Sequence, residues 1–252
     1  MLERALKERP LAGPMLRDVD GVMALLARHP LFAGIPRADL VALLRRAEIV
    51  HLDRNEILHR AGDPSRKATV LLSGAVQIEY PGRGQLRGYA AAMLAAPAFV
   101  SEVLDDQAWT GTAVVLLPIV AVGFDREVVA NLIAEQPGFA LAAYREIAER
   151  FRNAIDTWKH QIGPAETVAR YLLSMTLLRS RAGIGPESLL EIRQVDLGVA
   201  TGLRRETINR VLRGWARQGL IEIQTRGLSR IDLEGLKQVL GPERPLLLSA
   251  HR

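Results

Sequence analysis

The sequence predicts an α+β chain: short N-terminal helices, a β-roll or sandwich, one long helix and a C-terminal winged helix-turn-helix. Three observations carry this. Apolar residues recur at helical spacing up to about residue 46, short β-rich runs alternate with turn signals from there to Phe124, and helical patterning resumes at Asp125. A chain of 252 residues and 27.7 kDa suits two domains better than one.

In the first stretch, Val22, Leu25 and Leu26 and then Leu40, Leu43 and Leu44 mark two short helices, separated by Pro30 and Gly34-Ile35-Pro36. The β-rich runs are Ile49–Leu52, Glu56–His59, Thr69–Leu72, Ala75–Tyr80, Leu86–Ala91, Thr112–Leu116 and Ile119–Phe124. Gly62-Asp63-Pro64 and Pro81-Gly82-Arg83-Gly84 supply turns between them. Asp125 is a good N-cap for the helix that follows. Pro137-Gly138 interrupts that helix, and a longer one runs to about Ile162.

The long helix carries a heptad seam. Tyr144, Phe151 and Trp158 are seven apart, as are Ile147, Ala154 and Gln161, offset by three. Such a stripe is either a dimer seam or one face of a monomer core. The charged residues Glu146, Glu149, Arg150, Arg152, Asp156 and Lys159 on the other faces favour the two-chain seam. Gly163-Pro164 ends the helix. The expected division is 1–124 for the N-terminal helices and β-roll, 125–162 for the connecting and dimerising helix, 163–240 for the winged helix-turn-helix, and 241–252 for a tail.

Composition narrows the chemistry. The chain has no cysteine, which excludes a disulfide scaffold, a cysteine nucleophile, thiolate-bound zinc and any iron–sulfur cluster held by its own thiolates. No apolar run reaches the ~18 residues of a membrane span. The start MLERALKERP, with Glu3 and Glu8, lacks the apolar core of a secretory signal. A cytoplasmic protein with no membrane partner is expected. There is no glycine-rich phosphate loop, HExxH, nucleophile elbow or paired-carboxylate cleft, so an enzyme is not expected and no metal site is assigned.

The net charge of +5 is localised. From Arg193 to Arg230 there are eight arginines and three acids, a surplus of +5, so the rest of the chain sums to zero. This surplus is either a solvated arginine-rich face or the footprint of a polyanion, most often nucleic acid. The motif in the same segment favours the second. Residues 194–213 read QVDLGVATGLRRETINRVLR. Leu197, Val199 and Ala200 give a first helix its apolar face, Gly202 suits a sharp turn, and Leu203, Ile208, Val211 and Leu212 give a second helix its buried stripe. Arg204, Arg205, Glu206, Asn209, Arg210 and Arg213 are left facing out, where a recognition helix meets base edges. Arg pairs with guanine, Asn with adenine, and Glu accepts from cytosine. Gln224-Thr225-Arg226-Gly227-Leu228 then forms the basic tip of a β-hairpin wing.

A β-roll, a long dimerising helix and a winged helix-turn-helix, in that order, resemble the CRP/FNR family of bacterial transcription regulators over roughly residues 22–240. Arg205-Glu206-Thr207-Ile208-Asn209-Arg210 resembles the family's R-E-T-(V/I)-x-R recognition helix. Leu58-His59-Arg60-Ala61-Gly62-Asp63 and Leu71-Leu72-Ser73-Gly74-Ala75-Val76 resemble its paired glycine turns, and His29-Pro30-Leu31-Phe32 its entry to the roll. The resemblance implies a cyclic-nucleotide-binding-like roll acting as sensor. It also implies a homodimer on a pseudo-palindromic double-stranded DNA operator, with RNA polymerase as protein partner. Arg205, Glu206, Asn209 and Arg210 would read bases; Arg193, Arg204, Arg213 and Arg226 would meet phosphates. Tyr144, Ile147, Phe151, Ala154 and Trp158 would form the dimer seam. Arg204 departs from the family, which usually has a serine N-cap there, and the missing capping oxygen costs roughly 1 kcal/mol.

A second departure concerns the sensor. Members that bind cyclic AMP have Gly-Glu followed about ten residues later by Arg-Ser or Arg-Thr. Here Ser101-Glu102 is followed by Gly111 and Thr112, and no Lys or Arg occurs between Gly88 and Asp125. A buried phosphate without a cation is costly, and Asp105 and Asp106 worsen it. Cyclic AMP and cyclic GMP are therefore not expected, and no cofactor is predicted. Haem is the alternative, with His51, His59 and His160 as axial candidates and His29 behind them. Met93, Phe99, Glu102 and Thr112 could line a small ligand pocket; a plain roll core is the competing reading. A third alternative is a vestigial sensor and a regulator that acts constitutively.

Overall fold

The computed structural model describes residues 19–82, 88–101, 108–159, 162–185, 190–225, 227–241 and 246–248. They fall into two compact units. One gathers the described residues of Leu11–Ile78 and Leu94–Arg152, the other those of Glu79–Met93 and Asn153–Ser249.

The first unit opens with α1 (Val19–Leu26), a 3-10 turn (Pro30–Phe32) and α2 (Arg37–Leu44). Pro30 stiffens the turn, and His29 caps it: its Nδ1 accepts the Leu31 N–H at 3.2 Å. This delivers Phe32 into an aromatic cluster, 6.0 Å from Phe124 and 5.6 Å from Phe139. The family-like His29-Pro30-Leu31-Phe32 stretch is thus a packing device.

The strands are β1 (Glu48–Leu52), β2 (Ile57–His59), β3 (Lys67–Tyr80), β4 (Tyr89–Ala95), β5 (Ala98–Val100) and β6 (Thr112–Asp125). The sheet order is β1-β6-β3-β4, with β2 also on β6 and β5 also on β3. Three expectations change. The runs 69–72 and 75–80 are one strand, because the Ser73 hydroxyl accepts the Val120 N–H at 3.1 Å and so satisfies the polar residue inside the sheet. The runs 112–116 and 119–124 are also one strand. Pro118 falls between the pairing of Ile119 with Leu52 and of Val114 with Ile57, where a missing N–H costs little. The strand expected at 86–91 is Tyr89–Ala95, and its expected start lies outside the described residues.

Two helices follow, α3 (Arg126–Glu135) and α4 (Pro137–Lys159). Asp125 precedes α3 in extended conformation, but its carboxylate makes no capping hydrogen bond, which corrects the expected N-cap role. Val128, Val129 and Leu132 of α3 and Phe139 and Ala143 of α4 complete the core with Val22, Leu26, Phe32, Val70, Phe99 and Phe124.

The second unit contains α5 (Pro164–Arg181), α6 (Gln194–Thr201), α7 (Arg205–Arg217), the hairpin β7 (Ile221–Gln224) and β8 (Gly227–Ile231), and α8 (Leu233–Leu240). Pro164 starts α5 at its first position, and the Gly163 N–H is taken by the Glu166 carboxylate. Val168, Leu172, Leu178, Leu197, Ile208, Leu212, Trp215, Leu228 and Leu236 form the core. Helix α8 was not anticipated; Asp232 caps it by accepting the Gly235 N–H at 3.1 Å.

Candidate nucleic-acid interface

The interface is built on α6, the turn after it, and α7. The Thr201 hydroxyl donates to the Leu197 carbonyl and accepts the Leu203 N–H, so one side chain closes the turn. Gly202 sits at φ +70°, the left-handed conformation that ends α6 and is strained for residues bearing a Cβ.

Helix α7 is then anchored on one face and open on the other. Ile208, Leu212 and Trp215 are buried at spacings of four and three. Arg205, Glu206, Arg210, Arg213 and Arg217 are exposed, and Asn209 is half-buried. The expected base readers therefore share one helix, with Asn209 set deeper than the arginines. Arg204 stands at the N-cap with no side-chain capping bond. The helix start keeps unpaired amide donors and a positive dipole end, suited to a phosphate.

The expected phosphate contacts divide. Arg213 is exposed on α7. Arg193 is also exposed, but its guanidinium grips Asp196, with Nε 3.0 Å from Oδ2 and the terminal nitrogen 2.8 Å from Oδ1. This pair raises the arginine's affinity for its proton and closes the first turn of α6, where the Arg193 N–H also reaches Asp196. Arg193 stands at the N-cap position, where Asp196 supplies the capping oxygen. Arg226 lies outside the described residues. Two cations not assigned from the sequence join the surface. Arg217 continues the Arg213 stripe one turn on, and its Nε donates to the Arg213 carbonyl at 3.3 Å. Arg230, on β8, donates to the Gly219 carbonyl at 3.4 Å. Their four-residue and cross-strand spacings were readable in the sequence.

The wing has a third strand segment. Leu190 and Leu228 exchange backbone hydrogen bonds at 2.9 and 3.0 Å. Gly227 permits this approach, since a Cβ there would lie 2.0 Å from the Leu190 carbonyl oxygen.

On α4, Tyr144, Ile147 and Phe151 are exposed by 68, 45 and 65%, joined by Leu141, while Phe139 and Ala143 are buried. The side chains of Ala154 and Trp158 lie outside the described ones. Glu146, expected among the solvated charges, is half-buried and accepts the Phe99 N–H at 2.7 Å. It satisfies a backbone donor of the short strand β5.

The expected pocket residues have these places. Phe99 is buried, 6.0 Å edge-to-face from Phe139. The Thr112 hydroxyl accepts the Ala61 N–H at 3.1 Å. Met93 is fully buried on β4, and Glu102 lies outside the described residues. As for haem, an axial ligand needs an enclosed slot beside its nitrogen. His51 is exposed on β1. The His59 ring is stacked on Trp109 at 3.7 Å, and burial lowers its pKa to about 4 against the opposing pull of Asp63. Neither fits a haem, and His29 is buried as a cap; His160 lies outside the described residues. Among the described residues, no group of three or more His, Asp or Glu is placed to hold a metal ion, and no helix is long and apolar enough to cross a membrane.

The model of the Crp-like helix-turn-helix domain matches residues 166–239. The chain is 23% identical over 217 residues to a CRP-like cAMP-activated global transcriptional regulator of Mycobacterium tuberculosis, covering 84% of this chain and 96% of that one. Among solved structures, a CRP/FNR-family transcriptional regulator of Eubacterium rectale superposes with TM-score 0.68 at 16% identity, covering 84% of this chain and 97% of the other. The c-di-GMP responsive global regulator CLP of Xanthomonas campestris superposes with TM-score 0.62 at 15% identity, covering 78% and 99%. Residues 166–239 thus form a Crp-like helix-turn-helix domain, and over most of its length the chain is similar to a CRP-like transcriptional regulator and shares the fold of CRP/FNR-family regulators.

Proposed function

We propose that this DNA-binding transcription regulator is a homodimer that reads a pseudo-palindromic operator and takes an input other than cyclic AMP. Residues 163–240 would bind DNA and 125–162 would dimerise. One observation carries the reading: α7 is rooted by Ile208, Leu212 and Trp215 and turns Glu206, Arg210 and Arg213 to solvent in a single stripe, with Arg205 exposed at its first position. Charge, depth and periodicity suit a helix in the major groove, with Arg210 and Glu206 on base edges and Arg204 and Arg213 on phosphates. Selection of binding sites from random DNA tests it. Half-sites one helical turn apart are expected; enrichment of no motif would refute the reading.

The dimer rests on Leu141, Tyr144, Ile147 and Phe151, large apolar side chains in solvent along one face of α4. The input is argued from charge. The Mycobacterium tuberculosis relative is cAMP-activated, but between Gly88 and Asp125 this chain offers no Lys or Arg to a cyclic phosphate. Calorimetry with cyclic AMP should show no binding; micromolar affinity would overturn this half of the proposal. RNA polymerase remains the protein partner the family reading suggests.

A further inference from the structure

We propose that the groove between α6 and the wing binds an amphipathic carboxylate, an aliphatic chain ending in one anionic group, and that this ligand competes with DNA for Arg205. The proposal rests on the DNA-binding reading above and deepens it, by placing an input site inside the DNA-binding unit.

The first observation is where apolar surface stands open. Among the described residues from Pro164 onward, the large apolar side chains left exposed are Val195, Val199 and Ile223, at 58, 48 and 42%. All three line one groove of about 770 Å³, a size that suits a small ligand. Val195 and Val199 are one turn apart on the same face of α6, and Ile223 belongs to β7 of the wing. Beneath them the groove is lined by the buried side chains of Leu197, Leu212 and Leu228. A polyanion gains nothing from aliphatic side chains, because its binding comes from cations and released counterions. An aliphatic chain laid between the two walls removes all three from water.

The second observation is the charge of the same groove. Its described lining includes Arg193 and Arg205 and no Asp or Glu. Arg193 is gripped by Asp196 through two hydrogen bonds, which leaves Arg205 to meet an anion. Arg205 is exposed and opens α7, so the positive end of the helix dipole lies at the same place. An apolar trough with one available guanidinium at its edge fits a ligand with one carboxylate and an alkyl chain. Neutral partners for a second polar group are present in Gln224 and Thr225.

The consequence follows from Arg205 serving both partners. A guanidinium engaged by a carboxylate is lost to a base edge or a phosphate. Ligand and operator therefore exclude each other, and the ligand releases the regulator from DNA.

Decanoate is the probe, with acetate supplying the charge alone and decan-1-ol the chain alone. Calorimetry on the full chain should show decanoate binding at least about tenfold tighter than either control. Val199→Asp and Ile223→Asp place a carboxylate on opposite walls of the groove, each at an exposed position. Each should weaken decanoate about tenfold or more. Decanoate at ten times its Kd should weaken operator binding about tenfold, the mass-action result of competition. Absence of decanoate binding overturns the proposal, as does equal binding by both groove variants or by decan-1-ol. Decanoate binding that leaves operator affinity unchanged overturns it too. Arg210→Ala separates this from the underlying reading. Operator binding that depends on Arg210 and ignores decanoate sinks the groove alone, and binding insensitive to Arg210 sinks the reading beneath it.

Discussion

Helix α4 leaves Leu141, Tyr144, Ile147 and Phe151 in solvent, whereas α7 leaves Glu206, Arg210, Arg213 and Arg217 there. Both helices are also rooted in a core, α4 through Phe139 and Ala143, α7 through Ile208, Leu212 and Trp215. Geometry is shared and chemistry is not. An apolar stripe in water gains by meeting another apolar stripe, and a second copy of the chain supplies one by symmetry. A cationic stripe gains by releasing counterions from a polyanion. The difference between the two helices is thus a difference of partner, and each can be broken by moving the other's chemistry onto it.

The largest effect should come from Phe151→Glu, which places a charge in the apolar stripe. Burying a Phe side chain is worth about 1.5–3 kcal/mol, and a two-fold seam loses it twice. Sedimentation should show the dimer weakened more than ~100-fold, and operator affinity should fall with it, because two half-sites no longer act together. A dimer unchanged by Phe151→Glu would mean that the stripe serves something else.

On α7 the comparison sharpens within one helix. Arg210→Ala should cost about 1–3 kcal/mol on the selected operator and relax preference at one base position. Arg213→Ala should weaken all sequences alike and reduce the salt slope by about one. Gel shifts on operator and scrambled DNA at several salt concentrations read both. Equal losses for the two variants on every sequence would remove the distinction between reader and phosphate contact.

Much of this contrast was legible in the sequence. The 3.6-residue periodicity of α7 and the seven-residue repeat of α4 are local signals, and local signals survive without a structure. What was lost depends on distant partners. Strand β5 has three residues, next to an alanine run, and exists because Thr69–Leu71 pairs with it. Glu146 looked like one more surface charge; its partner, the Phe99 N–H, is 47 residues away. Leu190 became a wing strand through Leu228, and the tail acquired a place through Met93 and Ser174. Helix α8 is different. Asp232 and the apolar Leu233, Leu236 and Leu240 stand at cap and helical spacing in the sequence, but the helix is only eight residues long and its periodic signal is short.

The two regions also treat cations differently, and pH exposes this. The arginines of α7 stand in water, while burial against Trp109 keeps His59 neutral, with a pKa of about 4. Its folded pKa lies below the ordinary value, so between the two the unfolded chain binds the extra proton. Stability is complete above about pH 6.5 and is lost as pH falls toward 4. Partial solvent exposure reduces the effect, leaving about 1–2 kcal/mol between pH 7 and 5. Urea unfolding of wild type and His59→Gln at both pH values should show that loss in wild type and a smaller one in the variant. An equal loss in both would place the acid sensitivity elsewhere.

The smallest effect tests why α7 begins with Arg204. That residue holds the N-cap with no side-chain bond, so the first amides of the helix lack a protein acceptor. Arg204→Ser should let the hydroxyl accept the Thr207 N–H and stabilise the C-terminal unit by about 1 kcal/mol. The same change deletes a cation, and the new hydroxyl competes with phosphate for the amides at the helix start. Thermal melts should therefore rise while affinity for any DNA falls modestly and the salt slope drops by about one. Opposite signs on stability and binding would mean that the weak cap is retained for the polyanion. A variant that gains stability and loses no affinity would show that Arg204 does not touch DNA, and the positive stripe would then begin one residue later, at Arg205.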